Sequence, residues 1–449
     1  MQTRKSSVAS IDNRQSTIGH PVKVAINAVS AKMGGAVSYL TNLLRHLPPP
    51  ESGYQFFVFL QADTAKLLGE LRGNIQLCVQ PGKDKEGWRR LWWEQITLRR
   101  FLRKEKVDAL FSTANFAMLR CPVKQILLVR NALYFSKTYR QMFLGKHGLR
   151  FRVAFALQRW LILRSVRSAD VVMTPTQVML DELAQFGKLD RRKALVNYYG
   201  ADNFPYPSPP WGRGWTAAGV LTSRGGPGEG VLPNPPIVDN NADLPTAAPD
   251  ATTRFGVIRL AYVSLYSEHK NLNTLLKALP LLNRNGSAKF VLKTTVRPAW
   301  EGAAWTVTHQ DDLALGRQPD VAPWVEFLGP LQAEQVEQLY RQSDVFVFPS
   351  FCESFGQPMV EAMAHGLPIV AADTAVNREI CAEAALYFCP DSPEDLAERI
   401  VALGHDQALR QELCLAGRRR AATHFRWEDH VDRFLKAVAR SPVHRSDFA

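Results

Sequence analysis

Glu353 and Glu361 stand eight residues apart in CESFGQPMVEAMAHG, residues 352–366, with Gly356 and Pro358 between them and Gly366 at the end. Pro358 suits the first helical position, residues 359–365 tolerate a helix, and Gly366 can take a left-handed cap. The spacing therefore predicts a loop and then a short helix. Glu353 falls on the loop, and Glu361 falls in the first helical turn, where unpaired backbone amides carry partial positive charge. The bland alternative makes Glu361 a complement to the helix dipole and Glu353 a solvated loop residue. An acid and base pair of the glycosidase kind would need the carboxylates on opposite sides of a bound sugar.

A helix N-terminus attracts anions, and the amides of Ser354, Phe355, Gly356 and Gln357 are placed to donate to a phosphate or a sugar hydroxyl. A carboxylate such as Glu353 repels phosphate but accepts well from vicinal hydroxyls. Amides and carboxylates together suit a ligand carrying both phosphates and a polyol. Lys270, at the end of YVSLYSEHKN, offers a point charge for a diphosphate, with a solvated helix-start lysine as the alternative. Gly34 and Gly35 in KMGGAVSYL open a helix after a strand; without GxGxxG they support a tight turn and not a dinucleotide site. The ten histidines form no HExxH and the six cysteines (Cys78, Cys121, Cys352, Cys381, Cys389, Cys414) no CxxC, so no metal constellation is legible and a reducing compartment is expected.

Thirteen short apolar runs would position these groups. VKVAINAV, QFFVFL, IQLCV, ALFST, QILLV, VVMTP and ALVNYY alternate with helical patterns in the first half. After an interruption IRLAYVS, KFVLKTT, VEFLG, DVFVFPS, LPIVAAD and ALYFCP do the same. Such alternation predicts parallel sheets covered on both faces, and DVFVFPS, apolar on both sides, reads as a central strand. Ligands bind beyond the carboxyl ends of such strands, which is where CESFGQPMVEAMAHG begins. The expected division is a disordered tail at 1–20, an α/β domain at 21–203, a Pro- and Gly-rich flexible insertion or linker at 204–254, a second α/β domain at 255–415, and a C-terminal helical segment at 416–449 packing back toward the first domain.

With 449 residues, 46% hydrophobic and 22% charged, the chain reads as globular with two or three domains. Residues 89–167 hold 18 Lys and Arg against 3 acids, a surplus of 15 that exceeds the net +13 of the whole chain. Trp88, Trp92, Trp93, Phe101 and Trp160 are interleaved among those arginines. Helices packed on their own sheet, helices lying on an anionic membrane, and a nucleic-acid surface all fit that pattern, the last of them least well. No secretory leader or membrane-spanning run is legible, so a cytoplasmic protein, or one held peripherally on the inner face of a membrane, is expected.

SDVFVFPSFCESFGQPMVEAMAHGLPIVAADTAVNREI closely resembles the E-x7-E region of glycosyltransferase family 4, retaining enzymes of GT-B fold in which two Rossmann-like doubly wound domains face each other across a cleft. The likeness runs from about residue 257 to 439, with looser matches in NAVSAKMGGAVSYL, VVMTPTQVMLDELAQFG and VNYYGAD. It implies hexose transfer from a nucleoside diphosphate sugar to a hydroxyl acceptor, such as a lipid-linked or polysaccharide glycan, with no cofactor or metal and no nucleic-acid partner. It further implies that Glu353 meets the donor hexose, that Glu361 meets the ribose and that Lys270 meets the diphosphate. The amides around Phe355 would hold sugar and phosphate. The chain departs from the family pattern at Leu265, where many members carry Arg, and at Asn131 in VRNALYF, where others place a His-Asp pair near the donor sugar; His269 stands where a subset lacking that Arg carries a basic residue just before the lysine. A non-catalytic nucleotide-sugar binder or scaffolding protein of the same fold is the alternative reading, and an epimerase on a similar fold is disfavoured by the E-x7-E pattern.

Overall fold

The computed structural model describes residues 20–32, 34–80, 90, 92–187, 189–201, 256–284, 288–296 and 306–440. The tail expected at 1–20 and the insertion expected at 204–254 therefore lie almost wholly outside the described residues, as does Trp88. Among the described residues thirteen strands form two sheets, and every pairing is parallel. The first contains β1 (Val22–Asn27), β2 (Tyr54–Gln61), β3 (Ile75–Gln80), β4 (Ala109–Ser112), β5 (Lys124–Leu128), β6 (Val171–Thr174) and β7 (Ala194–Val196), in the order β3-β2-β1-β4-β5-β6-β7. The second contains β8 (Val257–Tyr262), β9 (Lys289–Thr294), β10 (Val325–Phe327), β11 (Val345–Phe348), β12 (Ile369–Ala372) and β13 (Ala385–Phe388), in the order β10-β9-β8-β11-β12-β13.

All four residues of β11 are buried, as are those of β4, β6 and β12. A strand covered by helices on both faces has no side left for polar residues, so the apolar runs were continuous and not alternating. In each sheet the strand order reverses beside the first strand, between β1 and β4 and between β8 and β11. The chain is thus two doubly wound Rossmann-like domains, as expected.

Helices cover both faces of the first sheet. Paired registers put Ala25, Leu110, Leu127 and Val172 on one face, and there Trp93, Leu98 and Leu102 pack beside Phe155, Ile162 and Val166 of the helix Leu149–Ser168. Trp93 is a core residue and Phe101 packs partly buried against that core, their rings meeting Phe59 tilted at 5.6 Å and edge-on at 5.0 Å. Trp92 and Trp160 point outward. The basic segment is therefore part core and part surface.

The chain crosses between domains twice, side by side. Ala201 N donates to Phe425 O at 2.9 Å, Asn197 Nδ2 to His430 O at 3.0 Å, and a Cβ on Gly200 would meet Trp427 N at 2.4 Å, so only glycine fits that approach. The helix Trp427–Ala439 then lies on the first domain, with Phe434 4.7 Å from Phe111 and His430 Nε2 3.0 Å from Tyr39 Oη. The boundary expected at 416 falls inside the helix Gln407–His424, whose Gly417 packs on Met363 of the second domain. The departure comes later, near Phe425, because the whole of that helix has a partner in the second domain.

Candidate functional site

The strand-order reversal opens a crevice at the carboxyl ends of β8 and β11, and the two candidate loops leave from those ends. After β8 the chain makes a 3-10 turn, Glu268–Lys270, closed by Asn271 in a left-handed conformation (φ 54°). Asn271 Nδ2 donates to Pro349 O and Pro390 O at 3.0 and 2.8 Å, Tyr262 Oη donates to Lys270 O at 2.8 Å, and Phe351 N donates to His269 O at 2.9 Å. These bonds tie the Lys270 turn to the loop after β11. Lys270 Nζ and Glu353 Oε1 meet at 2.6 Å, with only 17% and 11% of the side chains exposed. The two residues singled out from distant parts of the sequence are direct partners.

The loop ends at Gly356, which caps the helix Gln357–His365 with φ 82°. The dihedral is what favours glycine there; a Cβ would also sit 2.4 Å from the terminal Met359 methyl, which would have to move aside. Because Gln357 is already helical, Pro358 occupies the second position and not the first. Glu361 lies in the second turn and not the first, since that turn holds no acid. The helix-dipole account of Glu361 therefore fails. Its carboxylate accepts from Tyr340 Oη at 3.0 Å, and burial pushes its pKa up to about 7 against the lowering effect of the Tyr340 and Gln357 bonds.

Above pH 7 the folded chain thus holds a carboxylate that its surroundings disfavour. Glu361 in the unfolded chain titrates near 4.5, so wild-type stability falls as pH rises from about 4.5 through 7. Glu361→Gln keeps the Tyr340 bond and removes the charge. The variant is expected to match wild type near pH 4.5 and to exceed it by about 1–3 kcal/mol at pH 8, at about 1.4 kcal/mol per pKa unit. Denaturant titrations at the two pH values check this; a pH-independent difference would contradict it.

The other expected residues divide. Phe355 is buried against Tyr199 (4.8 Å) and Phe425 (5.7 Å), so its ring anchors the loop. Ser354 O accepts from Thr176 Oγ1 at 3.0 Å and Gln357 Nε2 donates to Gly200 O at 2.9 Å, both across the domain boundary. Gly34 (φ 56°) caps the helix Gly35–His46 at the carboxyl end of β1, and a Cβ on it would lie 3.1 Å from Leu265 Cδ1; a Cβ on Gly35 would meet open space. The Gly34 turn of the first domain therefore faces the second domain.

His269 and Asn131 are engaged otherwise. His269 is buried, bonded through Nδ1 to Ser267 Oγ at 2.8 Å, and burial followed by the Lys270 charge lowers its pKa well below the ordinary range. A neutral imidazole lacks the charge that the resemblance assigned to it. Asn131 Oδ1 accepts from Leu133 N at 3.1 Å and so caps the turn Ala132–Tyr134, a structural duty.

Three charged residues escaped the sequence reading. Arg130, at the end of β5, has its guanidinium 5.6 Å over the Tyr39 ring and close to Tyr199, the residue that packs on Phe355, and it forms no ion pair among the described residues. Glu268 accepts from Tyr139 Oη, His147 Nε2 and Val307 N at 2.6, 2.8 and 2.9 Å. Glu379 accepts from Gln177 N, Val178 N and Tyr198 Oη at 2.6, 2.8 and 2.9 Å, which caps the helix Gln177–Phe186 from the other domain. A cavity of about 590 Å³ among Lys146, Lys277 and Asp391 shares Glu268 and Asn271 with the Lys270 turn but excludes Lys270, Glu353 and Glu361. It is a different space from the crevice.

The Lys270 ammonium, the Glu353 carboxylate and the Gly356-capped helix N-terminus lie together, with the Glu361 carboxylate one turn further along that helix. Such a set can hold an anion at the helix end while the carboxylates accept from hydroxyls. Among the described residues no three or more His, Cys, Asp or Glu gather where a metal would need them.

Comparison with known families identifies the two domains. The model described as "Glycosyl transferases group 1" matches residues 258–406, and that described as "Glycosyltransferase Family 4" matches residues 33–203. The chain is 27% identical to O-antigen chain mannosyltransferase B of Escherichia coli over 177 residues, 39% of this chain and 44% of that protein. It is 33% identical to D-inositol 3-phosphate glycosyltransferase of Geodermatophilus obscurus over 256 residues, 55% of this chain and 50% of that protein. The chain thus spans half or less of the length of these curated relatives. Sucrose-phosphate synthase from Thermosynechococcus elongatus shares the fold, with a TM-score of 0.65 at 16% identity over 92% of this chain and 97% of that one.

Proposed function

The chain belongs to glycosyltransferase family 4, the group 1 glycosyl transferases, and from that premise we propose that it moves a hexose from a nucleoside diphosphate sugar to the hydroxyl of a lipid-linked or polysaccharide glycan. The observation that carries this reading is the meeting of Lys270 and Glu353 beside the Gly356-capped helix, at the strand-order reversal of the second sheet.

Lys270 and the amides following Glu353 stabilise the charge that develops on the departing diphosphate, which is electrostatic help to a leaving group. Glu353 accepts from the hexose hydroxyls and Glu361 from the ribose hydroxyls. The bond from the anomeric carbon to the diphosphate oxygen breaks, a bond to the acceptor oxygen forms on the same face, and the acceptor proton passes to the departing phosphate. Neither glutamate need move a proton, and the anomeric configuration is kept. Metal is not required on this reading, so transfer persists in excess chelator. The Gly34 turn, held against Leu265, closes the crevice from the first domain and helps exclude water.

A thermal-shift panel of UDP, GDP, ADP and their hexose derivatives, followed by assay for release of the nucleoside diphosphate, tests the proposal. One base is expected to stabilise the protein, and its sugar is expected to turn over. The rival reading is a non-catalytic nucleotide-sugar binder or scaffolding protein that uses the same residues to hold the donor. Stabilisation with no transfer and no slow donor hydrolysis would establish the rival. No response to any nucleotide would sink both.

A further inference from the structure

The helix Leu149–Ser168 carries an outward apolar stripe. Leu149, Val153, Leu157 and Trp160 are between 41% and 74% exposed, and at 100° per residue they share an arc of about 80°. The helix holds five arginines and no acid. Arg150 lies on one side of the stripe, Arg152 and Arg159 lie on the other, and Arg164 with Arg167 continue it toward the C-terminal end. Arg159 stacks over Phe186 at 5.2 Å, while Arg150, Arg152, Arg164 and Arg167 form no ion pair among the described residues. Trp92, also exposed, belongs to a helix on the same face of the first sheet, as the shared side of Ala25, Leu110, Leu127 and Val172 shows.

We propose that this helix face docks the protein on an anionic lipid bilayer. The stripe sinks its Leu, Val and Trp side chains among the acyl chains near the headgroups, and the arginines pair with lipid phosphates. Charge selects the occupant. A second copy would set five arginines against five of its own kind. A nucleic acid would take the arginines but gain nothing from aliphatic side chains along the centre of the face. No helix among the described residues is long and apolar enough to cross a membrane, so the contact is one of lying on the surface.

The stripe starts at the cleft. His147, two residues before the helix, bonds Glu268 of the Lys270 turn at 2.8 Å, so the apolar half of the helix lies at the domain junction and the Arg164 half points away from it. Docking would bring the crevice mouth to the lipid surface. The docking stands independently of glycosyl transfer; the corollary that the acceptor is lipid-borne rests on the transfer reading.

Co-sedimentation of the full chain, without donor, with vesicles of phosphatidylcholine alone or with 30% phosphatidylglycerol tests the docking. Binding to the anionic vesicles only is expected, falling about fivefold for each of Arg150→Gln and Arg164→Gln and about tenfold or more for Val153→Ser/Leu157→Ser/Trp160→Ser. These side chains are exposed, so the thermal unfolding of each variant should match wild type. The blue shift of tryptophan emission on vesicle binding should shrink in Trp160→Phe. Equal binding to both vesicle types, no binding, unchanged binding of the triple variant, a stripe-dependent dimer, or retention on DNA in preference to vesicles would each overturn the proposal.

Discussion

Lys270→Gln is expected to lower kcat/KM for sugar transfer by about 10²–10³-fold, the size of effect seen when one preorganised donor to a developing negative charge is removed. Gln is chosen because its amide can still donate to Glu353, which is only 11% exposed and would otherwise lose its partner at 2.6 Å. Folding should therefore be little changed, and circular dichroism with a thermal melt checks that. The companion variant Glu353→Gln separates the roles. In the ligand-free protein the carboxylate competes with phosphate for the ammonium. Removing its charge should leave nucleoside diphosphate binding as tight or tighter, while transfer falls because the sugar hydroxyls lose their acceptor. A Lys270→Gln enzyme within threefold of wild type would remove Lys270 from the chemistry. An equal loss of diphosphate affinity in both variants would make the ion pair a structural unit only.

Much of this framework was legible before any coordinates. All thirteen strand candidates contain strands; β4, β6, β11 and β12, buried on both faces, stand out as unbroken apolar runs, whereas β3, β9 and β10 are only partly buried. The site loop was legible for a related reason: it follows DVFVFPS, whose strand β11 is buried along its whole length, and its glycines mark left-handed backbone that favours glycine. Local detail was less secure. Pro358 suggested the helix start, but the left-handed Gly356 begins it one residue earlier, which moves Glu361 out of the first turn.

Long-range partners were not legible at all. Glu268 meets groups 121 and 129 residues away, and Glu379 reaches across 181–202 residues. Nothing in their local sequence distinguishes them from solvated glutamates. Trp92 and Trp93 show the same limit: adjacent, identical in type, one in the core and one outside, separated only by the direction each takes from the helix. Arg130 adjoins Asn131 in VRNALYF, and nothing local marks the Tyr39 ring that lies under its guanidinium from 91 residues earlier, whereas Asn131 caps a turn.

Glu268→Ala should produce the largest loss of stability of any change considered, about 3–5 kcal/mol, as expected when one buried acceptor is removed and three donors lose their partner at about 1–3 kcal/mol each. The carboxylate has no exposed surface and takes all three of its bonds from groups that would remain buried without it: the Tyr139 hydroxyl, the His147 imidazole and the Val307 amide. Tyr139 cannot take over as the anion, because burial, the largest influence on its hydroxyl and one that does not depend on Glu268, raises its pKa above the ordinary phenol value. Glu268→Gln retains one acceptor oxygen and is expected to recover part of the loss, and Tyr139→Phe to cost about 1.5–3 kcal/mol, the range for a hydrogen bond to a charged group. Denaturant unfolding followed by both far-ultraviolet dichroism and tryptophan emission measures these values. Noncoincident transitions would reveal that the domains separate before they unfold. Glu268 also begins the turn that ends in Lys270, so the bonds that hold the first domain's Tyr139 and His147 fix the position of the candidate phosphate-binding lysine. The Ala variant should therefore lose transfer activity even at temperatures where it stays folded, whereas Tyr139→Phe, which leaves His147 in place, should keep most of it. Stability within 1 kcal/mol of wild type for Glu268→Ala would mean that water or a neighbouring group takes the place of the carboxylate, and that the domains are held together instead by Glu379 and the paired crossings at Gly200 and Trp427.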